Sequence, residues 1–136
     1  MGTQDRFLLL RRALLGNAAF STACGLLLAL GGGALAPVFG APALALRAVG
    51  LVLLPFAYGL WQNARRAEVH RAEAWTAVVL DAGWVAGSAA LVALELWPLT
   101  FAGTWAVVAV ADVVLLFAVL QALGLRRSAT RPAEAH

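Results

Sequence analysis

From Ala13 to Leu46 the chain carries no charged side chain. One helix needs roughly 20 apolar residues to cross the hydrocarbon of a bilayer, and this run is longer than that. It reads as two crossings with a turn between them. The breakers Gly31-Gly32-Gly33, Pro37, Gly40 and Pro42 mark where the turn falls. Composition points the same way: 62% of the 136 residues are hydrophobic and 12% charged, whereas soluble domains carry about a quarter charged residues. With a mean hydropathy of +0.85, the solvent for most of this surface must be lipid.

Two further apolar runs follow a polar connection at Gln62 to Glu73. The expected fold is an all-α membrane protein with four transmembrane helices, at about residues 8–35, 43–63, 74–96 and 100–125. A transmembrane domain over 1–127 and a polar tail over 128–136 account for the whole sequence. Thr3 is a candidate helix N-cap with Asp5 in the first turn. A cleaved signal peptide competes for the N-terminus, but the apolar segment is too long and Pro37 stands just after the Ala34-Leu35-Ala36 site. Ser21 spoils a lipobox before Cys24, which reads as a small buried thiol.

All the basic residues are arginines, and apart from Arg47 they fall in the N-terminal segment, the middle connection or the C-terminal tail. The positive-inside rule then puts both termini and the middle connection in the cytoplasm. The net charge of +3 is a matter of topology, and nucleic acid is not an expected partner. Trp61 and Trp75 are expected at the cytoplasmic interface and Trp97 at the opposite one.

Shifting the chain by 64 residues lays Asn17-Ala18-Ala19-Phe20 over Asp81-Ala82-Gly83-Trp84 and Leu27-Leu28-Ala29-Leu30 over Leu91-Val92-Ala93-Leu94. This repeat predicts two tandem helical hairpins of the same orientation, related by a pseudo-twofold axis along the membrane normal, with helices 1 and 3 as the central pair. Small residues one turn apart, Gly83 and Gly87 in helix 3 and Ser21 and Gly25 in helix 1, are the expected packing positions, because close backbone approach is a main attraction between helices in lipid.

Polar groups inside the apolar runs are the candidate functional residues. An ionised side chain at the bilayer centre costs about 2.5–3.5 kcal/mol on insertion scales, so it is expected to face a partner. Counting about 1.5 Å per residue from the flanking arginines puts Arg47 and Asp112 about one turn apart in depth, which predicts an ion pair. The same count puts Asp81 near the level of Asn17, with Ser88 two turns along its face, and predicts an Asp81–Asn17 hydrogen bond. Pro55 frees a carbonyl in helix 2 and predicts a kink there.

Other chemistry is sparse. Both histidines, His70 and His136, fall outside the apolar runs. No Cys, His or carboxylate cluster has metal-ligand spacing, and no nucleophile stands beside a base. No cofactor, metal or catalytic residue is expected, and the chain does not read as an enzyme. Leu9-Leu10-Arg11-Arg12-Ala13-Leu14-Leu15-Gly16-Asn17-Ala18-Ala19-Phe20-Ser21 and Leu80-Asp81-Ala82-Gly83-Trp84-Val85-Ala86-Gly87-Ser88 resemble uncharacterised small four-helix integral membrane proteins of bacteria, a resemblance that implies topology and no activity. The expectation is a non-enzymatic, multi-pass protein of the bacterial inner membrane. Its partners are the lipid bilayer and other membrane subunits or itself, and its role is that of an accessory or structural subunit. The alternative is a small proton- or ion-coupled transporter or channel that uses Asp81, Asp112 and Arg47.

Overall fold

The computed structural model describes residues 7–129; Thr3, Asp5 and the tail from 130 to His136 lie outside the described residues. It contains four helices, α1 (Leu8–Phe39), α2 (Ala43–Arg65), α3 (Arg71–Ala93) and α4 (Phe101–Ala129). All four are long and apolar enough to cross a membrane, the make-up of a multi-pass membrane protein.

Helix α1 does not stop at its three glycines. It continues through Pro37 to Phe39 and ends at Gly40, which adopts the left-handed conformation (φ 72°) and donates its N–H to the Ala36 carbonyl. Residues without a Cβ do not by themselves end a helix; here they leave a groove that another side chain fills. A Cβ on Gly32 would lie 2.7 Å from Arg47 Cγ, and one on Gly33 2.6 Å from Arg47 Nη2. The arginine stem therefore runs along the glycine face of α1, and its head lies further along the helix, in the manner of a snorkelling side chain.

Antiparallel hairpins bring the arginine-rich ends of all four helices together, and two arginines fasten that end. Arg11 of α1 donates to the carbonyls of Ala64 (2.7 Å) and Ala67 (2.6 Å) at the end of α2. Arg71 of α3 donates to the Leu125 carbonyl of α4 (3.0 Å) and to the Ser128 hydroxyl. Arg11 satisfies carbonyls that the end of α2 leaves without helical partners, Arg71 shares the Leu125 carbonyl with the Ser128 hydroxyl, and both place positive charge at the negative pole of a helix. Asn63 holds the connection between α2 and α3 by bonding both the N–H and the carbonyl of His70. A core of Leu10, Leu14, Leu60, Ala74, Ala77 and Leu125 lies in this half. At the other end Thr100 donates through its backbone N–H to the Phe39 carbonyl and through its hydroxyl to that of Val38, tying the two remaining turns.

The neighbours run α2–α1–α4–α3, so α1 and α4 form the central pair. A twofold relating the two hairpins would make the α2–α3 contact equivalent to the α1–α4 contact. The latter is extensive and the former sparse, so the contacts do not carry the symmetry that the repeat predicted. The reason lies in side-chain size at the α1–α4 seam. A Cβ on Gly16 would meet Phe117, and one on Gly124 would meet Leu10, so each helix offers a glycine to a large residue of the other. Between α2 and α3 a groove of about 220 Å³ remains, lined by Phe56, Gly59, Thr76, Ala77 and Leu80 among others.

The α1–α2 seam is closer still, because Gly50 presses on Ala29 and on the Gly25 carbonyl. Replacement of Gly50 by valine is expected to destabilise the bundle by about 1–3 kcal/mol through overpacking. Gly59→Ala, where a Cβ meets open space, should leave stability unchanged or raise it, since alanine is the better helix former by about 1 kcal/mol. Equilibrium unfolding in mixed micelles measures both. Equal losses for the two variants would contradict the packing described here.

A candidate polar site inside the bundle

Three helices turn polar side chains into the interior. On α3 the buried face is Ala74, Ala77 and Asp81, on α1 it includes Leu10, Leu14, Asn17 and Ser21, and on α4 Val114, Ala118, Gln121 and Leu125. The spacings of three and four residues keep each polar group on the stripe its apolar neighbours bury. Asn17 is 1% exposed, Gln121 0% and Asp81 4%.

The three side chains form one network. Asn17 Nδ2 donates to Asp81 Oδ2 at 2.8 Å, and Gln121 Nε2 donates to the same oxygen at 3.0 Å. Asn17 Nδ2 also reaches Gln121 Oε1 at 3.2 Å, and Ser21 Oγ donates to Asn17 Oδ1 at 3.2 Å. Every bond between Asp81, Asn17 and Gln121 joins two different helices. Among the described residues no arginine enters the cluster; Arg71 is engaged with the end of α4. Among the described residues nothing donates to Asp81 Oδ1. One carboxylate oxygen is thus held by two amides while the other stays available to a proton. Three residues further along α3, the buried Trp84 indole N–H has no acceptor among the described residues.

The structure brings Asn17 and Asp81 together and adds Gln121, which sequence reasoning did not single out. Gln121 lies little more than a turn from Arg126 and Arg127 and reads as an interfacial residue; its signal was its place at helical spacing from Ala118 and Leu125. Ser88 is half-buried on α3 and is not part of the network. Ser21 and Gly25 are buried on α1, Gly25 against Leu54 and Gly50 of α2.

Other positions fall elsewhere. Arg47 and Asp112 do not form the expected ion pair: both are exposed, and α1 stands between α2, which carries Arg47, and α4, which carries Asp112. Depth along the membrane was a sound coordinate, but pairing also needs the right rotation and neighbour order. Gly83 and Gly87 pack on no other helix; a Cβ on either would meet nothing within 4 Å. At 3.6 residues per turn Gly83 lies roughly 200° round the helix from Asp81, so the turn that buries the carboxylate faces the glycine outward. Trp61 and Trp75 are exposed near the arginine-rich end, Trp61 with the Arg65 guanidinium 4.5 Å from its ring centroid, and Trp97 is half-buried in the connection between α3 and α4.

Among the described residues no group of three His, Cys, Asp or Glu side chains is placed to hold a metal ion. Comparison with known protein families, curated proteins and solved structures finds no match.

Interhelical hydrogen bonds in membrane proteins contribute about 0.6 kcal/mol on average and up to about 1.7 kcal/mol in double-mutant cycles. Asn17→Ala and Gln121→Ala are each expected to cost roughly 1–2 kcal/mol. Combined with Asp81→Ala, which removes the acceptor, they should show a coupling of at least about 0.5 kcal/mol. The pair Arg47→Gln and Asp112→Asn should be additive within about 0.5 kcal/mol. Coupling in the second cycle and none in the first would reverse the assignment.

Proposed function

We propose that this chain is a non-enzymatic multi-pass protein of the bacterial inner membrane that works as an accessory or structural subunit, assembled with itself or with other membrane proteins. The observation that carries the reading is the contrast between its inside and its outside. The interior network joins Asp81, Asn17 and Gln121 of three helices to one another, whereas Asp112 is exposed and the Gly83–Gly87 pair has open space beside it among the described residues. A carboxyl at that depth costs about 2.5–3.5 kcal/mol against lipid alone, and glycines one turn apart on a membrane helix favour close approach by another helix. The clustering of arginines supports an orientation with that end in the cytoplasm.

A second reading, proton- or ion-coupled transport, draws its support from Asp81. Its carboxylate is enclosed by amides and has one oxygen without a donor, beside a helix that borders the open groove between α2 and α3.

Two measurements separate these readings. Purification from native membranes in mild detergent is expected to yield a stoichiometric assembly whose mass exceeds that of one chain. In that assembly Asp81→Asn should leave mass and composition unchanged, because an amide oxygen still accepts from Asn17 and Gln121. A monomer that moves protons across liposomes, and stops when Asp81 becomes asparagine, would replace the assembly reading with the transport one. For orientation, Leu96→Cys in a Cys24→Ala background should react with a membrane-impermeant thiol reagent added from the periplasmic side; Leu96 is 61% exposed in the connection between α3 and α4. Labelling only from the cytoplasmic side would invert the topology.

A further inference from the structure

We infer that the partner is a second copy of this chain, docked through the outer face of α4 so that the two Asp112 side chains meet across a twofold axis along the membrane normal. The inference rests on the assembly reading above and specifies its partner and its surface.

The face is defined by what the fold leaves uncovered. Trp105, Ala109, Asp112, Leu116, Val119 and Leu123 are all exposed, and their alternating spacing of four and three residues is that of a helix–helix seam. The opposite side of α4, with Gly103, Val114, Ala118, Gln121 and Leu125, is the side buried in the bundle. Asp112 is the one ionisable group on the exposed stripe, and among the described residues no side chain donates to it. Asn17 and Gln121 are engaged with Asp81 on the buried side, and the Arg47 head lies beside Gly33, on the face of α1 that meets α2.

Lipid provides no donor to such a group, so the partner must supply one at the same depth. Two copies inserted in the same direction can be related by a twofold only about the membrane normal, and that axis sets every residue opposite its own equivalent at an unchanged depth. A carboxyl pair is self-complementary, because a carboxylic O–H donates to a carboxylate oxygen. Asp112 therefore meets its own requirement on dimerisation, with no further residue needed. Ala109, one turn away, is small enough for the backbones to approach, while Leu116 and Val119 supply interlocking bulk. A foreign partner would have to present a donor at this depth independently. The glycine face of α3 carries no ionisable group.

The test uses the full chain in native membranes with Cys24→Ala and one new cysteine at a time, oxidised and then resolved on denaturing gels. Ala109→Cys and Leu116→Cys should give a disulfide-linked species of twice the chain mass, and Gly87→Cys should not. In the Leu116→Cys background, Asp112→Leu should lower the dimerisation constant, read from the dimer fraction across a dilution series in lipid, by about threefold to thirtyfold, the range of one to two interhelical hydrogen bonds. Asp112→Asn should retain it, because amides also pair with each other. Since leucine on a lipid-facing surface preserves the fold, loss of dimer with an unchanged melting curve of the bundle isolates the interface. Crosslinking through Gly87 but not the α4 seam would overturn the inference while sparing the assembly reading, as would capture of an unrelated protein by the seam cysteines. An unaltered dimer in Asp112→Leu would remove Asp112 from the interface. Absence of any crosslink, with a monomer on purification, would overturn both.

Discussion

A carboxylate inside a bilayer has no water to turn to, and the arrangement of this bundle follows from how Asp81 is answered. Its donors come from two helices at once, Asn17 on α1 and Gln121 on α4. That requirement joins helices far apart in sequence at a common level and fixes the rotation of each about its axis. Once α3 turns Asp81 inward, Gly83 and Gly87 must face out, and once α4 turns Gln121 inward, Asp112 must face out. Apolar contact alone would not impose this, since the lipid tails compete for the same aliphatic surface.

Close approach of the backbones is the second condition, and glycine placement meets it. Gly25 and Gly50 bring α1 and α2 together, Gly16 and Gly124 do the same for α1 and α4 by receiving Phe117 and Leu10, and Gly103 admits the Phe39 carbonyl at the far turn. None of these is an α2–α3 contact, and α2 and α3 stay apart. The result is a bundle joined along α2–α1–α4–α3 with one open side, closed at the arginine-rich end by Arg11 and Arg71 reaching across to helix C-termini. Those cations also add the favourable interaction of positive charge with the helix dipole, about 0.3–1 kcal/mol each where exposed.

The helix number was legible in the sequence because the hydrocarbon thickness sets the length of an apolar run, whereas four of the eight helix ends lie three or four residues from where the sequence put them. The level of Asn17 and Asp81 was legible for a related reason: rise per residue converts sequence distance from a flanking arginine into depth. What that count omits is rotation about each helix and the order of the helices around the bundle. Arg47 and Asp112 matched in depth and failed on neighbour order. Gly83 and Gly87 matched a packing spacing and failed on rotation. Gly31-Gly32-Gly33 read as a helix stop because glycine has low helix propensity, whereas propensity is overridden when the groove it leaves accommodates the Arg47 side chain. Gln121 was not among the expected positions; its signal was the helical spacing from Ala118 and Leu125, which puts a long amide side chain on the buried stripe.

The inside and outside of the bundle therefore differ in kind. Asp81 is matched by two amides and contributes to the fold. Asp112, on the face of α4 turned from the core, contributes nothing to it, and a leucine there would suit a lone bundle in lipid better. An apolar seam with a carboxyl at its middle is unfavourable for a monomer and favourable for a pair, since hydrogen bonding across the seam removes the exposure that makes the monomer unfavourable. Asp112 would also set the register of that pair, because sliding one α4 along the other by even one turn, about 5.4 Å, separates the two carboxyls and returns both to lipid. In the proposed dimer, the polar group that weakens the isolated bundle would be the one that gives its association a single geometry.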